Sequence, residues 1–172
     1  MSNERLVYLD NNATTRVAPE VVEAMLPCLT EHWGNPSSAY DLANAPARMI
    51  AEAREHVAKL IGADPRNIVF TSCGTESNNA VIQSALQYNP TKRHVITSAV
   101  EHSANIKHCH QLEKRGYEIT FLPVDLDGGI DLCDLQAAIR PDTAIVSLMW
   151  ANNETGVLFP VEELAAICRS HG

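Results

Sequence analysis

Three polar clusters break apolar runs in this chain, and each holds groups that could do chemistry. The first is TSCGTESNN, residues 71–79. Gly74 allows close backbone approach, Thr75 and Ser77 supply hydroxyls, and the free N–H groups of a helix start could receive an anion such as phosphate. The stretch is neither G-x-G-x-x-G nor a Walker loop, so no nucleotide is indicated, and Ser72 or Thr75 serves equally well as a plain helix cap. The second cluster is EHSAN, residues 101–105. Its His102 ring could stack on a planar cofactor or exchange a proton with a substrate; the plain alternative is a surface histidine with Ser103 capping a helix. The third is WANNETG, residues 150–156. Asn152, Asn153, Glu154 and Thr155 run out of an apolar strand, the two amides can orient a ligand oxygen, and Gly156 lets the chain turn away.

Other reactive residues carry less. His108, Cys109 and His110 are neighbours on a helical pattern and point in different directions, so they do not share one tetrahedral metal ion. Cys73 stands at a helix start, where the dipole lowers a thiol pKa, although apolar packing suits it equally. Cys28, Cys109, Cys133 and Cys168 read as structural, and Trp33 and Trp150 as packing residues.

The elements that must position these groups follow from periodicity. After Pro19, Val22, Met25, Leu26 and Leu29 recur at helical spacing, with Pro27 as a kink or stop. GNPSS, residues 34–38, is turn chemistry throughout. Ile50, Ala53, Val57 and Leu60 line one face of a helix over 44–61, which Gly62 ends. Strands are expected at 68–70, 95–100, 117–124 and 143–150, and helices at 75–88, 103–115, 131–139 and 161–171. Nearly continuous apolar strands alternating with helices predict one parallel α/β sheet covered on both faces. The ligand crevice of such a sheet lies beyond the carboxyl ends of its strands, and three of the expected strands end in the three polar clusters.

Composition narrows the partners. Of 172 residues 45% are apolar, enough for a core. The net charge of −8, with no Lys/Arg cluster, speaks against nucleic acid. No apolar stretch is long enough to cross a bilayer, and MSNERLVYLD lacks the apolar core of a signal peptide, so the expected location is cytoplasmic. Five cysteines without C-x-x-C spacing predict reduced thiols and no zinc knuckle.

Taken in order, YLDNNATT, GNPSS, FTSCGTESNN, the Glu-His pair at 101–102 and MWANNETG resemble the amino-terminal part of a NifS-like cysteine desulfurase, in the class V aminotransferase family of pyridoxal phosphate enzymes. The resemblance covers essentially the whole chain. It implies a three-layer α/β/α, mostly parallel sheet, part of the large domain of the aspartate aminotransferase-like fold (fold type I). Residues 1–43 would form an amino-terminal arm, helix and pocket-rim loops, including 11–14 and 35–38; residues 44–172 would form an incomplete cofactor-binding large domain. It assigns the Gly74 backbone and Thr75 to the cofactor phosphate, His102 to a catalytic ring stacked over the pyridine, and Asn153 to a contact near the phenolic oxygen and substrate.

The implied reaction converts L-cysteine to L-alanine, with sulfur carried as an enzyme persulfide to a scaffold or other acceptor for iron-sulfur cluster assembly, usually in a homodimer. TSCGTE and MWANNETGVLFP point towards the nitrogen-fixation type. The same cofactor contacts would serve a selenocysteine lyase or another class V aminotransferase. A non-catalytic fragment assembling with a partner chain is the alternative of a different kind. The family pattern continues with a His-x-Asp-x-x-Gln segment and a Ser-x-His-Lys segment bearing the Schiff-base lysine, neither of which occurs in these residues. Lys59, Lys92, Lys107 and Lys114 do not match that lysine, and none of the five cysteines matches the persulfide cysteine. The expectation is therefore a desulfurase as the parent protein, an isolated 172-residue chain inactive by itself, and an uncovered sheet edge that promotes association.

Overall fold

Pro19 presets the first helical turn, and α1 runs from there over Pro19–Thr30. The computed structural model describes residues 7–171, and the chain divides into two compact units between Phe70 and Thr71. The expectation of a stop at Pro27 is corrected: the proline lies inside α1. It removes one donor but keeps its carbonyl, which accepts the N–H groups of Glu31 at 2.9 Å and His32 at 2.8 Å and so closes the helix one turn later.

The second helix of this first unit, α2 (Asn44–Ile61), ends as expected at Gly62, whose φ of 66° is the left-handed conformation a helix stop favours. In the 34–38 turn, Gly34 is buried, and a Cβ there would lie 2.4 Å from the Leu42 carbonyl oxygen. Trp33 is 68% exposed, contrary to the packing role read from the sequence. The strand expected at 68–70 is also absent. The Ile68 carbonyl is taken by the Arg54 guanidinium, which sits 4.8 Å over the Phe70 ring, so the segment is extended but joins no ladder. Val69 stays 79% exposed.

The second unit holds the sheet. β1 (His94–Ser98) is central, with β2 (Glu118–Leu122) on one side and β3 (Thr143–Ser147) on the other, and both pairings are parallel. Each strand is shorter at its carboxyl end than its apolar run, because residues 99–100, 123–124 and 148–150 leave the ladder to form loops. Between the His94/Thr143 and Val95/Ile145 pairs the register shifts, leaving Ala144 as the extra residue.

Helices cover both faces, which gives the three-layer α/β/α arrangement. α3 (Gly74–Tyr88) and α4 (Ser103–Lys114) lie on one face, where Ile82 and Leu86 of α3 and Leu112 of α4 bury against Val95. α5 (Leu132–Ala138) and α6 (Val161–Ser170) lie on the other, where Leu135 and Leu164 bury against Ile96 and Leu122. Val95 and Ile96 are consecutive, so the pleat alone sends them to opposite cores. Burial of a leucine of this kind is worth about 1.5–3 kcal/mol. No helix among the described residues is long and apolar enough to cross a membrane.

Candidate active site

All four residues singled out for cofactor chemistry lie in the second unit, and topology brings them to one edge. α3 runs into the amino end of β1 through residues 89–93, so its own start lies towards the carboxyl end of the strands. α4 begins just after β1 ends, and the 150–156 loop follows β3, the immediate neighbour of β1. Gly74, Thr75, His102 and Asn153 are all solvent-exposed, so this edge is open.

At the start of α3 the cap is Cys73, not Ser72 or Thr75, and its side chain makes no capping hydrogen bond. Glu76 instead reaches back to Ser72, accepting from its backbone N–H at 2.7 Å and its hydroxyl at 2.6 Å. Although no capping bond closes on the exposed Cys73 sulfur, the nearby Glu76 N–H first, then Ser72, then Thr75 favour its thiolate and hold the thiol pKa below its ordinary value. A position beside Gly74 is open, with nothing within 4 Å of where a Cβ would stand. Donors that favour a thiolate at a helix start equally suit a phosphate oxygen, so this donor set fits a phosphorylated cofactor.

His102 is itself the cap of α4: its Nδ1 accepts the Ala104 N–H at 3.2 Å. Ser103, the residue expected to cap, is the first residue of the helix instead. In the third cluster the two amides divide the work. Asn152 is committed to the loop, its Oδ1 accepting the Glu154 and Thr155 N–H groups at 2.9 and 3.0 Å while its Nδ2 donates to the Val100 carbonyl at 3.1 Å. Asn153 bonds only its neighbour Glu154, at 2.9 Å, among the described residues. Gly156, at φ 77°, turns the chain back, and Ala151 and Leu158 close the loop as an antiparallel bridge. Trp150 on this loop is 70% exposed, so it is not a packing residue either.

Sequence reasoning named Glu101 only within the Glu-His pair and gave it no role. The carboxylate accepts the Met149 N–H at 2.7 Å and the Ser98 hydroxyl at 3.1 Å on Oε1, and the Asn105 amide at 3.2 Å on Oε2. Asn105 is buried, and its Nδ2 also reaches Thr97 Oγ1 at 3.2 Å. The only sequence signal was an acid immediately before the histidine. No group of three or more His, Cys, Asp or Glu side chains able to hold a metal occurs among the described residues.

The family model described as "Aminotransferase class-V" matches residues 7–172, and the chain belongs to that family. It is 54% identical over 167 residues to a protein of Trichormus variabilis named cysteine desulfurase 2, covering 97% of this chain and 42% of that protein. To the cysteine desulfurase NifS of Azotobacter vinelandii it is 50% identical, covering 96% of this chain and 42% of the relative. Among solved structures, one described as a NifS-like protein superposes with a TM-score of 0.93 at 39% identity, covering 96% of this chain and 46% of that one. SspA in complex with cysteine superposes with a TM-score of 0.91 at 36% identity, covering 95% and 48%. The chain thus has strong homology to NifS-like cysteine desulfurases and the architecture of fold type I pyridoxal phosphate enzymes, and it spans less than half the length of these relatives.

Proposed function

We propose that this chain is the amino-terminal part of a cysteine desulfurase that binds pyridoxal phosphate at the carboxyl edge of β1 and β3. The observation that carries the reading is the sharing of that edge by the start of α3, His102 and Asn153 in a chain of this family. The N–H groups at Gly74 and Thr75, with the Thr75 hydroxyl, would hold the phosphate against the positive end of a 15-residue helix. The His102 ring, its orientation fixed by the Ala104 N–H, would stack on the cofactor ring and pass a proton at its outward-facing nitrogen. Asn153, whose amide bonds only the exposed side chain of its neighbour Glu154 among the described residues, would orient the phenolic oxygen and substrate.

When bound, pyridoxal phosphate supplies an electron sink for breaking bonds at the substrate's carbon atoms. L-cysteine would leave as L-alanine, its sulfur carried as a persulfide on a cysteine of the same protein. That cysteine and the lysine that anchors the cofactor are assigned to residues outside these 172. A homodimer, an iron-sulfur scaffold as sulfur acceptor, a nitrogen-fixation setting and a cytoplasmic location belong to the same reading.

The protein carrying this chain, produced from its own gene, should take up pyridoxal phosphate with a visible absorption band and release alanine and reducible sulfur in equal amounts from L-cysteine. Cofactor uptake without alanine release would overturn the desulfurase assignment. A protein that takes up no cofactor would overturn the site as well.

A further inference from the structure

Resting on the cofactor reading above, we propose that Glu101 is a positioning residue, whose carboxylate sets the spacing between the two loops that carry His102 and Asn153. The β1–β3 ladder ends at the Thr97/Ser147 pair, so it does not fix those loops itself. Beyond it the two segments are tied twice: Glu101 accepts the Met149 N–H at 2.7 Å, and Asn152 donates to the Val100 carbonyl at 3.1 Å. His102 and Asn153 each stand one residue beyond a tied position.

The Glu101–Met149 contact has the short length of a charge-assisted hydrogen bond, and the other carboxylate oxygen holds the first turn of α4 through Asn105. One side chain therefore fixes the end of β1, the start of α4 and the exit from β3. Asn105 turns its donor towards Glu101 although its own Oδ1 is then buried with no partner among the described residues. Because the brace lies beyond the ladder and bonds Met149 and Val100 through their backbone while their side chains pack at the margin of one core, its loss should fall on ligand placement more than on melting.

The test compares Glu101→Asp with Glu101→Gln in the full-length protein. Aspartate keeps the charge but is one methylene too short for Met149; glutamine keeps the reach and the Oε1 acceptor, and its new N–H group meets the Asn105 side chain, whose unpartnered Oδ1 can accept it once that amide flips. Pyridoxal phosphate affinity, read from the visible absorption of titrated apoprotein, should weaken by about tenfold or more in Glu101→Asp and by less than about threefold in Glu101→Gln, with little change in melting. Asn152→Ala should also weaken binding, and combined with Glu101→Asp it should cost less than the product of the two single losses.

Wild-type affinity in Glu101→Asp, or losses as large in Glu101→Gln as in Glu101→Asp, would overturn the positioning role. If the wild-type protein itself binds no pyridoxal phosphate, the cofactor reading fails separately, and hydrogen exchange at the Met149 amide then decides the brace. Protection lost in Glu101→Asp and kept in Glu101→Gln upholds it; equal protection in all three proteins rejects it.

Discussion

His94 and Thr143 are joined across the boundary between β1 and β3 by a 2.8 Å contact from Nδ1 to Oγ1. The same fully buried ring meets Thr120 Oγ1 on β2 at 2.8 Å through Nε2, so one side chain spans all three strands.

Burial first, and the charge of Arg140 second, hold the His94 pKa below that of an ordinary imidazole, with Asp142 and Glu118 opposing. The folded chain favours the neutral ring, so below the unfolded value of about 6.5 the unfolded chain binds more protons. This contribution to stability is complete above about pH 6.5 and is lost as the pH falls from there through the depressed folded value. Melting midpoints measured from pH 8 down to pH 5 should decline below about pH 6.5, and His94→Gln should flatten that decline. An identical slope in the variant would exclude His94 as its source.

Gly74 offers a way to separate folding from ligand binding. Its φ is not positive and no atom crowds the place of a Cβ, so Gly74→Ala should leave stability within about 1 kcal/mol of the parent. If phosphate approaches this backbone, the added methyl group should weaken pyridoxal phosphate binding by about tenfold. Parallel thermal and cofactor titrations decide it, and unchanged affinity would move the phosphate away from Gly74.

Cys73 should be alkylated before Cys133 and long before Cys109. The first thiol is exposed with a lowered pKa, the second is exposed but raised chiefly by the hydrogen bond to Asp131, and the third is buried and pushed up to about 11. Mass spectrometry of timed iodoacetamide reactions gives the order. Saturating pyridoxal phosphate in the full-length protein should slow modification of Cys73, because the phosphate would take Thr75, one of the groups that favour the thiolate.

Gly34→Ala should destabilise the first unit by about 1–3 kcal/mol, since its methyl group would meet the Leu42 carbonyl oxygen at 2.4 Å, a backbone atom that cannot swing aside as a side chain does. Proteolysis or denaturant unfolding of the variant reads the loss directly. A wild-type profile would mean that the 34–42 turn moves freely enough to absorb a methyl group.

The alternation of strand and helix in the second unit was legible because it is written locally. Val95, Ile96, Ile119 and Leu122 are apolar, and the helices between them keep their 3.6-residue spacing. Residues 68–70 carry the same composition but form no strand, because pairing depends on a free neighbouring edge and the Ile68 carbonyl had already gone to Arg54, 14 positions earlier. The role of Glu101 was invisible for a related reason: the main partner of its carboxylate is the backbone of Met149, 48 positions downstream, and a backbone N–H leaves no mark in a sequence. Trp33 and Trp150 were misjudged because residue type alone does not say which large apolar side chains a unit leaves uncovered.

The cap that His102 forms on α4 also fixes the protonation pattern of its ring. A backbone N–H can only donate, so Nδ1 must present a lone pair to Ala104, and the hydrogen of the neutral imidazole is left on Nε2. The tautomer is thus chosen by the helix, not by any ligand. In that form Nε2 can donate a hydrogen bond without disturbing the cap, whereas a proton on Nδ1, which the ring needs before Nε2 can give or take one, would displace the Ala104 N–H and loosen the first turn of α4. On the proposed reading, any proton transfer at Nε2 is coupled to release of that cap.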